Sequence, residues 1–495
     1  MGRASTAVAW NMLRVLGQSV FGIVVSIILA RLLDPDLFGL MMVALIFVGL
    51  SEQILSVALS TAVIQRKELT QTHKNVAFTM ALILATAVAY VVLYFAAHVA
   101  EFFGDARAED VIQAMVLGMW FNTASSVHRG LIMREMDFKK LTQIDFSTYF
   151  FGYALISPVL AFLDFGIWAL VIGNLVWSVS ASVWVMKTEW FGMQFSLSSS
   201  ERKQLYHFSL GMSLINILNF LQHKATDTFI GRFLGMEVLG LFSRAAQLAS
   251  LPFMKIATTI SAVMFSAYSE LQNDIPRLYQ QYIKAIKLVS ATSLPILAGM
   301  WACSDYVIVG MYGEKWREAI SAFEALCIAA VIINVMHLNG AVIQATNNIY
   351  REVWRQAVFV VSSVTAMWFV ADYGLMAIIW AGISATILLY LMLAHLVIDI
   401  TDSSWSEFFM AQMPGVVVSV PIVSIDIWVK GLLEQHAQLS NEVMLLALVA
   451  TSGFVYLSCI LFLPDKWVGG LRAWVCEAYG HKLPSKALRL LSLRS

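Results

Sequence analysis

Fourteen predominantly apolar stretches follow one another along this chain of 495 residues, with only short polar connections between them. They run near 12–33, 38–62, 76–98, 110–133, 142–163, 166–187, 207–234, 238–265, 283–311, 319–346, 353–371, 375–398, 409–430 and 441–463. A helix of roughly 20 apolar residues crosses a bilayer. Inside hydrocarbon the backbone must satisfy its own hydrogen bonds, which a single helix does and an open strand does not. The pattern therefore predicts an all-α polytopic membrane protein with about fourteen transmembrane helices. Pro, Gly, Asn or Asp marks most connections, as in Asp34-Pro35-Asp36 and Gly313-Glu314. The longest connections, near 188–206 and 266–282, are too short for a soluble domain.

Composition narrows the function classes. Apolar residues make up 59% of the chain and charged ones 13%, against about 25% charged in soluble proteins. Mean hydropathy is +0.74. Secreted domains, ordinary cytosolic enzymes and disordered scaffolds are excluded. The 32 basic residues balance the 32 acidic ones. A nucleic-acid partner, which calls for a basic domain, is therefore not expected. Cys303, Cys327, Cys459 and Cys476 share no metal-type spacing and are read as small hydrophobes. No Gly-x-x-x-x-Gly-Lys-Ser/Thr loop exists to drive an ATP-powered pump. No metal or organic cofactor is expected.

Basic residues in short loops stay on the cytoplasmic side. The even-numbered connections hold Arg66, Lys67 and Lys74, then Arg134, Lys139 and Lys140, then Lys187, Arg202 and Lys203, then Arg277, then Arg351 and Arg355. The odd-numbered ones hold only Arg31, Arg107, Arg232, Lys315, Arg317 and Lys430. With Arg3 at one end and Lys466, Arg472, Lys482, Lys486, Arg489 and Arg494 at the other, both termini read as cytoplasmic. Two inside termini require an even helix count, which agrees with fourteen.

The chain also repeats itself. Arg31-Leu32-Leu33-Asp34-Pro35-Asp36-Leu37-Phe38-Gly39-Leu40 aligns with Arg232-Phe233-Leu234-Gly235-Met236-Glu237-Val238-Leu239-Gly240-Leu241 at an offset of 201 residues. Asp164-Phe165-Gly166-Ile167-Trp168 aligns with Asp372-Tyr373-Gly374-Leu375-Met376 at an offset of 208. The first pair joins spans one and two, and spans seven and eight; the second joins five and six, and eleven and twelve. Two copies of a six-helix unit enter the bilayer from the same side, so the repeat is parallel. The expected organisation is a six-helix bundle over 1–200, a second over 201–400, an added helix pair over 401–463, and a basic cytoplasmic tail over 464–495. Two such bundles leave a cleft that tilting opens to either face in turn, which describes a V-shaped, alternating-access carrier.

Ionisable residues inside the bilayer are costly and are functional candidates by default. Span one places Asn11, Arg14 and Gln18 on one helical face, and span seven places Asn216, Asn219, His223 and Asp227 on another, with Lys224 beside them. Gln18 and Asn219 are equivalent at the offset of 201. Glu52 and Gln53 lie in span two; Arg244, Gln247 and Lys255 lie in span eight. The substrate-binding candidates are Arg14, Gln18, Glu52, Asn216, Asn219, His223, Lys224, Asp227 and Lys255. Bland readings stand beside them: Arg14 and Arg244 can snorkel to the surface, and Lys224 and Asp227 can neutralise each other. His128, Arg129 and Arg134 crowd the inner end of span four, as a positive anchor or a greeting for an anionic headgroup. Arg and Lys suit phosphate, and Asn, Gln and His suit sugar hydroxyls.

The run from Leu29 to Leu40, Ala62-Val63-Ile64-Gln65-Arg66-Lys67-Glu68-Leu69-Thr70, and Arg129-Gly130-Leu131-Ile132-Met133-Arg134-Glu135-Met136-Asp137-Phe138 resemble the polysaccharide transport family. That family includes Wzx-type flippases of the multidrug/oligosaccharidyl-lipid/polysaccharide exporter superfamily. The resemblance implies a flippase, not an enzyme, in the bacterial inner membrane. It would move undecaprenyl-pyrophosphate-linked oligosaccharides for exopolysaccharide, capsule or O-antigen, coupled to an H+ or Na+ gradient. Membrane lipids, a polymerase and other glycan-assembly proteins are its expected partners. The alternatives are a drug/cation antiporter of the same superfamily, which favours acidic and aromatic linings, and a membrane glycosyltransferase using the Asp-x-Asp of Asp34-Pro35-Asp36. The repeat replaces that motif with Gly235-Met236-Glu237, which favours a turn.

Overall fold

Short polar connections between long apolar runs leave the chain one solution, helices laid side by side. A computed structural model of the chain describes residues 3–65, 69–192, 194–196, 199–250, 264, 267–436, 439–464, 467–468, 470 and 472. Within the helices, some side chains lie outside that description, chiefly at 3–9, 11–16, 51–62 and 199–219. Every regular element among the described residues is helical. Nine of these helices are long and apolar enough to cross a membrane, and the chain is a multi-pass membrane protein. It separates into two compact units, Met1–Ser243 and Arg244–Ser495.

The first unit begins with α1 (Arg3–Leu32), α2 (Pro35–Gln65), α3 (Gln71–Phe103) and α4 (Arg107–Arg134). It continues with α5 (Phe138–Thr148), a π-helical turn (Tyr149–Leu155), α6 (Ile156–Phe162), α7 (Ile167–Thr188) and the first part of α8 (Ser199–Ser250). Local chemistry sets the ends. Pro35 takes the first helical position, where its missing N–H is no loss. Thr70 caps α3 from the His73 N–H, and the left-handed Gly104 closes it. Asp137 accepts from Lys140 N–H to start α5.

α4 packs against α2, α3 and α7. It buries Thr123, Ser125, Ser126 and His128 against those neighbours, which is why the segment expected at 110–133 is too polar to stand among the nine. The π turn opens the α5–α6 ladder where Gly152 meets α7: a Cβ there would lie 2.7 Å from the Trp177 backbone. Small residues at helix contacts let backbones approach in this way.

The second unit contains α9 (Ile275–Ala302), α10 (Ser304–Tyr312), α11 (Ile320–Ala345), α12 (Ile349–Val370), α13 (Leu375–Thr401), α14 (Trp405–Met410), α15 (Met413–His436) and α16 (Asn441–Phe462). Its core gathers Tyr282, Val289, Leu338, Val342, Leu389 and Leu393. The span expected at 283–311 is two helices, because the backbone leaves helical geometry at Cys303 (φ −110°, ψ 21°). The span expected at 409–430 is preceded by the short α14, capped by Ser404. α15 packs on α9 and on α16. The repeated turns at 164–166 and 372–374 share a reason: Gly166 (φ 54°) and Gly374 (φ 90°) each precede a helix in a conformation that a side chain resists.

Candidate functional site

The polar stripe of span seven lies on the first half of α8. There the Lys224 ammonium donates to Asp227 Oδ2 at 2.8 Å, and Asp227 is buried. The same ammonium lies 3.5 Å from Met42 Sδ of α2. The mutual neutralisation expected of this pair is real, yet it does not consume the cation. Ammonium carries three donors, so one remains for a ligand oxygen beyond the two contacts described. Gln18 on α1 is half-buried. Arg14, Glu52, Asn216, Asn219 and His223 lie on helices, but their side chains fall outside the described set; Lys255 lies outside the described residues altogether. Arg244 and Gln247 are half-buried on α8.

The equivalent turn motifs of the two copies meet. A Cβ on Gly39 of α2 would lie 1.8 Å from Met236 O and 3.0 Å from Gly240 N. A Cβ on Gly240 would lie 1.7 Å from Pro35 O and 3.1 Å from Gly39 N. Gly39 pairs with Gly240, and Pro35 with Met236, at the offset of 201 residues. Each glycine therefore presses on the partner of its own equivalent, the reciprocity of a two-fold axis. Helix backbones touch directly here because neither residue has a side chain.

Polar contacts ring this crossing. Arg107 bridges Asp36 Oδ2 at 2.9 Å and Asp105 Oδ2 at 2.7 Å. The guanidinium holds the Asp105 carboxyl below its ordinary value of 3.8, chiefly through the side-chain hydrogen bond. Arg232 donates to Phe102 O at 2.6 Å and lies over the Phe102 ring. Gly231 faces the Phe103 ring. Asp36, the second carboxylate of the Asp-x-Asp motif, is thus committed to Arg107, and Leu33 and Asp34 form the helix-to-helix turn ahead of Pro35.

At the other end of the unit, Arg129 does not face outward for a headgroup. It grips Asp145 of α5 through two hydrogen bonds, 3.0 and 2.7 Å. His128 is fully buried between Phe78 (ring centroids 5.4 Å) and Phe191 (4.8 Å). Arg134 donates to Val63 O at 3.0 Å. The segment after α7 is tied to α3: Gln71 donates to Phe191 O, Gln194 N–H to Asn75 Oδ1 and Ser196 N–H to Thr79 Oγ1.

Sequence reasoning overlooked two of these features. Arg129 and Asp145 flank the Glu135–Asp137 turn at similar distances, so opposite charges across a helical hairpin would have signalled the pair. In the second unit, Asp426 on α15 is fully buried and accepts from Ser452 Oγ at 2.5 Å. A lone acid in the middle of an apolar span was its signal.

Comparison with known proteins places the chain. Residues 28–321 match the family described as "Polysaccharide biosynthesis protein". The chain is 24% identical over 331 residues to the lipopolysaccharide biosynthesis protein WzxC of Escherichia coli (strain K12), covering 66% of each chain. It is 27% identical over 327 residues to the succinoglycan biosynthesis transport protein ExoT of Rhizobium meliloti (strain 1021), again 66% of each, just under two thirds of their lengths. The teichuronic acid biosynthesis protein TuaB of Bacillus subtilis (strain 168) is 23% identical over 411 residues, 82% of this chain and 84% of that one. Among solved structures, the lipid II flippase MurJ in an inward closed conformation superposes with a TM-score of 0.74 at 13% identity, covering 92% of this chain and 99% of MurJ. An inward-facing multidrug resistance MATE family transporter reaches 0.63 at 17% identity, over 80% of this chain and 99% of that one. The fold is theirs.

Proposed function

Because the chain belongs to the polysaccharide biosynthesis protein family matched over residues 28–321, we propose that it is a flippase for lipid-linked oligosaccharides rather than an enzyme. The cargo is an undecaprenyl-pyrophosphate-linked repeat unit, taken up at the inner face of the bacterial inner membrane and released at the outer face. The observation that carries the reading is Lys224, a half-buried ammonium on the helix of the repeated polar stripe, held by Asp227 with a donor to spare. A diphosphate offers several acceptor oxygens to such a cation, and Arg14 of span one and Lys255 of span eight supply further cations. Gln18, Asn216, Asn219 and His223 suit sugar hydroxyls. Glu52 and Asp227 balance the charge so that the diphosphate is held without being trapped.

The residues 1–200 and 201–400 act as the two rocking bundles, with 401–463 as an added pair and 464–495 as a cytoplasmic tail. Both termini face the cytoplasm. The Gly39–Gly240 crossing, at the end of the helices assigned to the outer face, acts as the seal while cargo loads from inside. An H+ or Na+ gradient drives return of the empty carrier, and a polymerase receives the product.

Reconstituted liposomes loaded with undecaprenyl-pyrophosphate-linked oligosaccharide test the reading. The wild-type chain exposes the glycan on the opposite leaflet. Lys224→Ala slows that exposure by roughly tenfold, the worth of one charge-assisted hydrogen bond, and Lys224→Arg retains most of it. Movement of cationic drugs without movement of the glycan would identify an antiporter instead.

A further inference from the structure

Among the described residues, Asp426 is the acid most fully removed from solvent, with no exposed surface. It lies on α15 about 15 Å from the end at His436, taking 1.5 Å of rise per residue, near the middle of that helix. Oδ2 accepts from Ser452 Oγ of α16. Oδ1 has no hydrogen-bond partner among the described residues. The third wall is α9, where Gly299 removes a side chain: a Cβ there would lie 3.3 Å from Ser452 Oγ and 3.7 Å from Asp426 Oδ2. Beneath it lies an apolar cluster of Val418, Ile422, Val455 and Cys459.

An ionised carboxylate with one hydrogen bond and no counter-ion in such a place costs several kcal/mol. The helix pair can avoid that cost by keeping a proton on the group. Above it on the same face of α15, at intervals of four residues, come Lys430 and Glu434. Lys430 pairs with Asp305 at 2.6 Å and lies over the Tyr306 ring, and Glu434 accepts from Tyr306 Oη at 2.8 Å. Cys303, at the break between α9 and α10, is a buried thiol on this side of the site. On α16 the group facing the acid is Ser452, while Cys459 belongs to the apolar cluster and the Tyr456 hydroxyl donates to Ala291 O. Among the described residues, Lys430, Asp305 and Glu434 thus form a series that leads from the buried acid toward one end of the helices.

We propose that Asp426 is a proton-binding site in the terminal helix pair, loaded from the end that carries Glu434 through the Lys430–Asp305 pair. Its carboxylate takes one proton from water at that face and becomes a neutral acid; releasing the proton restores the charge. Nothing else is consumed. If the translocation reading above holds, this site identifies the proton as the coupling ion, and that role alone rests on that reading.

The test uses the full-length protein in liposomes and dicyclohexylcarbodiimide, which reacts with protonated carboxyls in apolar surroundings. The peptide containing Asp426 gains the acylurea mass at low pH. The yield falls on the order of tenfold per pH unit above the midpoint, as the protonated fraction does. Asp426→Asn abolishes the label. Should that variant fail to fold, Ser452→Ala keeps the acid and removes a hydrogen bond that stabilises the anion, so labelling persists to higher pH. Lys430→Gln moves the midpoint the same way. No label on Asp426 at any pH, or protection by sodium at fixed pH, overturns the proposal. Labelling of Asp426 together with glycan movement that ignores the proton gradient leaves the site standing and removes its coupling role.

Discussion

Some side chains in this protein find partners far away in sequence as well as beside them. Arg107 joins Asp36, some seventy residues away, to its own neighbour Asp105. The depressed Asp105 value gives a signed prediction. A carboxylate whose folded value lies below its ordinary 3.8 adds stability that is complete above 3.8 and is lost as pH falls through the lower folded value. In detergent, wild type should therefore melt above Arg107→Gln near neutral pH. The difference should hold down to about pH 4 and close toward pH 2. A gap that stays constant across that range would show that Arg107 acts by packing alone. Residues of this kind were only partly legible in the sequence. Arg107 was counted as an outer-loop cation, because a charge count does not see the carboxylates brought to it by another helix. Arg129 was offered to headgroups for the same reason, though Asp145 holds it.

Elements meet where side chains have been removed. Gly39 and Gly240 bring α2 and α8 into backbone contact, and Gly152 brings the π turn onto α7. Gly39→Ala or Gly240→Ala should each force the crossing apart, at a cost of roughly 1–3 kcal/mol to the closed arrangement. The double variant should cost less than the sum, because the first methyl already displaces the backbone that the second would strike. Thermal melting in detergent measures both terms. In a background without native cysteines, a cysteine placed at Thr228 should become reachable by an impermeant maleimide in either variant; strict additivity with no gain of labelling would show that the two glycines do not share one contact. The repeat that placed these turns was visible in the sequence as matching motifs, and apolar length found the helices. The break at Cys303 and the short α14 escape a search for spans by apolar length, although Ser304 and Asp305 follow the one and Ser404, whose side chain accepts from Glu407 N–H, starts the other.

At the scale of the whole molecule, the inventory of loops carries the orientation. An impermeant reagent applied to right-side-out vesicles should label a cysteine introduced at Glu314 and leave one introduced at Lys139 untouched, and inverted vesicles should reverse the pattern. Labelling of both positions from one side would overturn the assignment of inside and outside. The family and the helical plan could be expected from sequence, because lipid dictates length and the repeat dictates order. The candidate cargo site was legible only as a stripe of residue types: of its members, the structure joins Lys224 to Asp227 and to Met42 of another helix. The meeting of Gly39 with Gly240 bears on how such proteins diversify. That contact is made of main chain, so its fit does not depend on which side chains stand around it. Under the proposed flippase reading, selection on cargo can redraw the lining of the path residue by residue while the closure stays the same, and new glycans can be adopted without redesigning the machine that moves them.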